Sequence, residues 1–186
     1  MGIRIIAGKL KNREIFGIPK DKELRPILSR IKKSLFDILR PKIKGSKFLD
    51  LYAGTGSVGI EAISRGAELA VFIEINEKLV KILKKNLEKF GIDNQCEVYQ
   101  RDVLLGLEWL ADFKGEKFFD IIFIGPPYRD EVVSQTLSLI SKANILKKTG
   151  IIIAQHHIKE KIETDKFKLI RTEKYGDSIL SFFENL

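Results

Sequence analysis

Residues 48–61 read FLDLYAGTGSVGIE, and this stretch decides the fold. An apolar run broken only by Asp50 gives way to three glycines, Gly54, Gly56 and Gly59. A strand that meets closely spaced glycines and then a helical pattern predicts a tight turn. It also leaves the first N–H groups of the helix open to a ligand. The spacing matches G-x-G-x-x-G, a pattern that taken alone serves many nucleotide sites.

Working outward, the chain alternates strand and helix. Strands are expected at 48–52, 69–74, 96–100, 119–124 and 150–155, with helical stretches near 58–65, 76–90, 103–112 and 130–142. Runs such as IIFI and IIIA are apolar on both sides, as in a parallel sheet buried on both faces. Two further strands near 167–174 and 178–184 have no helix between them, which predicts antiparallel pairing at an edge. The fold class is therefore α/β, a doubly wound Rossmann-like sheet, mostly parallel with an antiparallel C-terminal edge. Ligands in such sheets bind beyond the carboxyl ends of the strands.

Toward the N-terminus the pattern changes. Residues 3–6 and 13–16 can pair as a hairpin around Gly8 and Lys9, and apolar residues from Ile27 to Leu39 recur at helical spacing until Pro41 ends the segment. Residues 1–47 hold 14 Lys/Arg against 4 Asp/Glu, whereas residues 48–186 hold 19 against 21. The net charge of +8 thus resolves into +10 on the first quarter and −2 on the remainder. Two regions are expected: a basic extension over 1–47 and a ligand-binding domain over 48–186. Such asymmetry points to a polyanion partner, with a solvated lysine-rich helix face as the plainer explanation.

The length of 186 residues suits one domain, and the lone Cys96 excludes an intrachain disulfide. No apolar run approaches the length of a membrane span, and the first residues lack a secretory pattern, so a cytoplasmic location is expected. His156 and His157 lack metal-site spacing, so no metal is expected. Trp109 reads as packing.

The strand ends carry the chemistry. Glu74, twenty residues past Gly54, is placed to accept from ribose hydroxyls, and Asp102 to accept from an adenine edge; both could instead cap the helices that follow. These features leave NAD and S-adenosyl-L-methionine open. Asp50 could face the ammonium of a methionine moiety. Gly125-Pro126-Pro127-Tyr128 ends the fourth strand with a stiff turn and a ring able to stack on a base. Both features favour the methyl donor.

The chain resembles the RsmD-type 16S rRNA guanine-N2 methyltransferases of the class I S-adenosylmethionine-dependent group. The resemblance rests on Arg4-Ile-Ile-Ala-Gly8, Arg25-Pro26, Arg30, Leu35-Phe36, the run from Leu49 to Ala67, Phe72-Ile-Glu74, Asn86, Asp102, Phe119-Asp120 and Pro126-Pro-Tyr128. It implies S-adenosyl-L-methionine as cofactor, with Asp50, Tyr52, Gly54 and Gly56 at the methionine part, Glu74 at the ribose and Asp102 at the adenine. It implies transfer to a guanine N2 at Gly125, Pro126, Pro127 and Tyr128. It implies 16S rRNA or the small ribosomal subunit as partner; the basic segment 1–47 is expected to hold its phosphates through Arg4, Arg25, Arg30, Lys32 and Lys33, and a monomer is expected. Lys9, Lys11 and Arg13 would flank that strip, and Arg129 would contact RNA or sit on a solvated helix start.

The chain departs from the family pattern at one chemical position. The resemblance leads one to expect aspartate before the two prolines, and Gly125 stands there. The glycine reads as a deliberate or chance substitution, a diverged active site, or a retired one. Ile27 and Ser29 replace the usual threonine and aspartate. The alternatives are thus a catalytically retired RNA-binding or ribosome-assembly protein, and an NAD-dependent oxidoreductase.

Overall fold

The computed structural model describes residues 2–17, 27–127 and 132–186. Its frame is a seven-stranded sheet made of β3 (Lys47–Leu51), β4 (Leu69–Glu74), β5 (Cys96–Gln100), β6 (Phe119–Ile124), β7 (Leu146–His157), β8 (Phe167–Tyr175) and β9 (Ser178–Asn185). The order is β5-β4-β3-β6-β7-β9-β8, with β5 through β7 parallel and β9 antiparallel to both of its neighbours. The chain reverses direction across the sheet between β3 and β6, where a doubly wound sheet opens its crevice.

Alternation within each strand feeds two cores. Phe48 of β3 and Phe72 of β4 face one layer, while Leu49, Leu51, Val71 and Ile73 face the other. The first layer holds α1 (Ser29–Ile43), α2 (Ser57–Ser64) and α3 (Glu77–Phe90); the second holds α4 (Glu108–Lys114) and α5 (Val133–Ala143). A short antiparallel pair, β1 (Ile3–Arg4) and β2 (Glu14–Ile15), joins the first layer through Ile5, Leu10 and Ile15. The basic N-terminal stretch therefore shares its core with the sheet.

The strand positions and the antiparallel edge follow the sequence pattern closely. Three local expectations are corrected. Pro41 does not end α1, which runs to Ile43. A proline in the last turn removes one backbone donor, and the helix continues past it to seat Ile43 in the core. The stretch 103–112 is not one helix but a 3-10 turn, Val103–Leu105, followed by α4. Gly106 at φ 109° breaks the two apart. Strand β7 starts at Leu146 rather than 150, because Leu146 pairs with Phe119 ahead of a register shift.

Candidate functional site

The carboxyl ends of β3, β4 and β5 form the richest polar region. After β3 the backbone enters the left-handed region at Tyr52 (φ 62°) and again at Gly54 (φ 57°) and Gly56 (φ 77°). A side chain on Gly54 would meet nothing within 4 Å, so the space above it is open for a ligand to approach the backbone. At Gly56 a Cβ would lie 2.3 Å from Leu83 Cδ1, so this glycine serves close packing of α2 on α3. Gly59 is equally pressed, against Phe72.

Glu74 closes the loop from below. Its Oε2 accepts from the Gly54 N–H at 2.7 Å and its Oε1 from the Asn76 N–H at 2.8 Å. Each carboxylate oxygen can accept a second bond, so Glu74 is fixed in orientation without being exhausted as an acceptor. Asn76, not Glu74, caps α3, through bonds to the amides of Lys78 and Leu79. Asp102 does cap the following 3-10 turn, accepting from the Leu104 N–H at 2.9 Å.

Asp50 corrects an expectation. Its side chain does not stand free to meet a ligand ammonium; the residue is 1% exposed and its Oδ2 accepts from the Gly59 N–H at 2.8 Å. Burial pushes its carboxyl up to about 8, only partly offset by the Gly59 bond. Asp50 thus tethers α2 to β3 beneath the loop. Tyr52 stands at the loop with its ring against the second core, its hydroxyl 2.7 Å from Thr136 Oγ1 on α5.

Beside Asp102 lies a cleft of about 530 Å³, lined by Ile75, Gln100, Arg101, Asp102, Leu105, Gly106 and Trp109. Ile75 and Leu105 are 61% and 87% exposed, apolar lips on a polar floor. The Arg101 guanidinium lies 4.6 Å from the Trp109 ring centroid. Sequence reasoning missed these lips and took Trp109 as packing alone. The available signals were Ile75 directly after Glu74 and Leu105 three residues past Asp102, ahead of Gly106.

Gly125 follows β6 directly, and its N–H donates to the Leu51 carbonyl at 3.3 Å. That bond sets the Pro-Pro turn beside the glycine loop, because β3 and β6 are parallel neighbours. A Cβ on Gly125 would come within 2.7 Å of Phe123 Cε1, so an aspartate here requires the Phe123 ring to turn aside. Pro126 is buried and Pro127 exposed. Tyr128 and Arg129 lie outside the described residues, as do Arg25 and Pro26.

The expected RNA contacts divide. Arg30 is exposed; Lys33 is exposed and pairs with Asp37 at 2.7 Å; Arg4 is exposed and pairs with Glu14 at 3.2 Å. Lys32 is the correction. It is 1% exposed, and its ammonium pairs with Glu61 at 3.3 Å and donates to the Arg4 carbonyl and Ser57 Oγ, each at 3.0 Å. A cation held this way cannot reach a phosphate. Burial lowers the pKa of Lys32, and Glu61 opposes that fall.

Among the described residues, no group of three or more His, Cys, Asp or Glu could hold a metal ion, and no helix is long and apolar enough to cross a membrane.

Comparison with known proteins agrees with this geometry. The family described as Conserved hypothetical protein 95 matches residues 3–184. The Ribosomal RNA small subunit methyltransferase D of Buchnera aphidicola is 38% identical over 179 residues, covering 95% of this chain and 90% of the relative. The solved structure of a hypothetical protein from Thermus thermophilus superposes with a TM-score of 0.80 at 28% identity, over 98% of this chain and 99% of that one. An RNA methyltransferase from Salinibacter ruber, solved with S-adenosyl-L-homocysteine, shares the fold with a TM-score of 0.65 at 15% identity, over 85% and 92% of the two chains. With the family match spanning nearly every residue, the chain belongs to the Conserved hypothetical protein 95 family, the RsmD-type methyltransferases that its motifs resemble.

Proposed function

We propose that this protein transfers a methyl group from S-adenosyl-L-methionine to the exocyclic N2 of a guanine in 16S rRNA. The observation that carries the reading is the strand-end cradle: the open Gly54 backbone, Glu74 braced by two amides, and Asp102 beside an apolar cleft. Family membership supports methyl transfer over the NAD-dependent alternative.

The residues fit the cofactor. Glu74 accepts from the ribose hydroxyls with its remaining lone pairs. Asp102 accepts from the adenine amino group, and Ile75, Leu105 and Trp109 cover the base faces and exclude water. The loop at Gly54 lets the methionine portion approach the backbone. When bound, the cofactor supplies an electrophilic methyl carbon on a sulfonium.

At the target side, guanine N2 is a poor nucleophile because its lone pair is delocalised into the ring. The carbonyls of the Gly125-Pro126 turn accept its N–H groups and aim the nitrogen, and Tyr128 stacks on the base. A duplex guanine must be extruded to arrive there. Arg4, Arg25, Arg30 and Lys33 hold RNA phosphates, a contribution that weakens with salt.

A second reading, a retired RNA-binding relative, is favoured by one observation: no carboxylate stands at position 125, and the Phe123 ring borders the space its Cβ would fill. Titration calorimetry with S-adenosyl-L-homocysteine and with NAD tests the cofactor half of the proposal. Binding of the first and not the second is expected, and tight NAD binding alone would overturn it.

A further inference from the structure

Glu61 sits on α2 with no solvent exposure, yet it is the most heavily bonded carboxylate described. Its Oε2 accepts from the Ile6 N–H at 2.8 Å and faces Lys32 Nζ at 3.3 Å. Its Oε1 accepts from the Ala7 N–H at 3.0 Å and from Arg65 Nε at 2.8 Å. Three of these donors are remote in sequence. Two are backbone amides of the β1–β2 connection, and one is the ammonium of α1.

Lys32 completes the circuit. Its three N–H donors match three acceptors: the Arg4 carbonyl, Ser57 Oγ and Glu61. Ser57 is the first residue of α2 and directly follows Gly56 of the cofactor loop. The same helix grips the hairpin again through Ser64. Its carbonyl accepts from the Lys9 N–H at 2.8 Å and its hydroxyl from the Leu10 N–H at 3.0 Å. Gly8 fits there only without a side chain, since a Cβ would lie 1.8 Å from the Ser64 carbonyl oxygen. The Arg65 guanidinium also lies 5.0 Å from the ring of Phe36 on α1.

Such a buried charge cluster is a poor way to gain net stability, because desolvating the ions offsets most of their attraction. It is well suited to fixing one geometry, since few other arrangements satisfy every donor. The helix it fixes is the one that begins at the cofactor loop, and the segment it holds carries Arg4 and, on α1, Arg30 and Lys33.

We propose that Lys32 and Glu61 are positioning residues that couple the cofactor loop to the RNA-docking segment, so that filling the cofactor cleft tightens residues 4–10 on α2 and strengthens RNA binding. This rests on the methyltransferase reading above. Linkage makes the coupling reciprocal: RNA strengthens cofactor binding by the same factor.

Amide hydrogen exchange on the unmodified protein, with and without saturating S-adenosyl-L-homocysteine, tests it. The amides of Ile6, Ala7, Lys9 and Leu10, all bonded to α2, are expected to slow about fivefold or more on binding, the lower end of usual coupling. Binding with unchanged exchange there overturns the coupling alone. Failure to bind the homocysteine ligand overturns the methyltransferase reading and the coupling with it. A second arm compares homocysteine-ligand affinity with and without unmodified small subunits. The ratio is expected to be about five or more in the unmodified protein and near one in folded Lys32→Met. An unchanged ratio in that variant would show that Lys32 is structural only. Should Lys32→Met fail to fold, the exchange measurement on the unmodified chain decides.

Discussion

The two halves of the sheet's carboxyl edge are built differently. Along β4 and β5 the strand ends offer carboxylates, each oriented by backbone amides: Glu74 by Gly54 and Asn76, Asp102 by Leu104, while Asp50 of β3 lies buried beneath them on the Gly59 amide. Along β6 the strand end offers a glycine and two prolines, with a single long backbone bond to Leu51. Amide-braced acceptors cost no reorganisation when a ligand arrives, so the first half is ready to bind. Under the proposed function the second half would rely on main-chain carbonyls for a task that a carboxylate performs better. Binding and transfer can therefore be separated by mutation in this protein.

The largest effect expected within the binding half is electrostatic. The carboxyl of Asp50 rises to about 8 on burial, so between about pH 4 and 8 the folded protein holds a proton that the unfolded chain has released. Stability should fall as pH rises through that window, by up to about 1.4 kcal/mol per pH unit. Asp50→Asn keeps an acceptor for the Gly59 N–H and has no proton to lose. Urea unfolding at pH 5 and pH 8 should show its pH dependence flattened. An unchanged slope would mean that Asp50 is ionised in the folded state.

Next comes Glu74→Ala, which removes the proposed acceptor for the ribose and the brace on Gly54. Affinity for S-adenosyl-L-homocysteine should drop roughly a hundredfold by calorimetry, in line with losing two hydrogen bonds to a charged group. A drop below threefold would place the ribose elsewhere.

A smaller change separates RNA docking from both halves of the edge. Arg30→Glu should weaken RNA binding about tenfold at low salt and leave homocysteine-ligand affinity unaltered. Loss of both affinities would break the division. The smallest effect belongs to Gly125→Ala, which adds a Cβ against Phe123 without adding an acceptor. It should lower stability by about 1 kcal/mol in thermal unfolding and give no gain in methyl transfer. A gain would mean that the turn's shape, not a missing carboxylate, limits the reaction.

The strand positions, the antiparallel edge and the places of Gly54, Glu74 and Asp102 at strand ends were legible from sequence because each depends on local pattern: an apolar run, a glycine where the chain must turn, a polar residue where the strand stops. The roles of Asp50 and Lys32 were not. Asp50 looks ligand-facing from its distance to Gly54, but strand alternation puts its side chain under α2, where Gly59 meets it. Lys32 reads as one of several surface lysines on a helix; only the approach of Glu61, 29 residues away, makes it a core residue. Long-range pairing of charges leaves no periodic trace in a sequence. The apolar lips Ile75 and Leu105 escaped for a related reason, since an exposed apolar residue in a loop stands out only once the cleft beside it is known.

The separation of binding from transfer is tested most directly by one measurement: methyl transfer from labelled S-adenosyl-L-methionine to unmodified small subunits, comparing the Gly125 chain with Gly125→Asp. With Phe123 turned aside, the added carboxylate is expected to raise the rate about a hundredfold to a thousandfold while homocysteine-ligand affinity stays within about twofold. Equal rates in two folded, cofactor-binding proteins would contradict the account, and would place the whole burden of orienting the guanine amine on the backbone carbonyls of the Gly125-Pro126 turn.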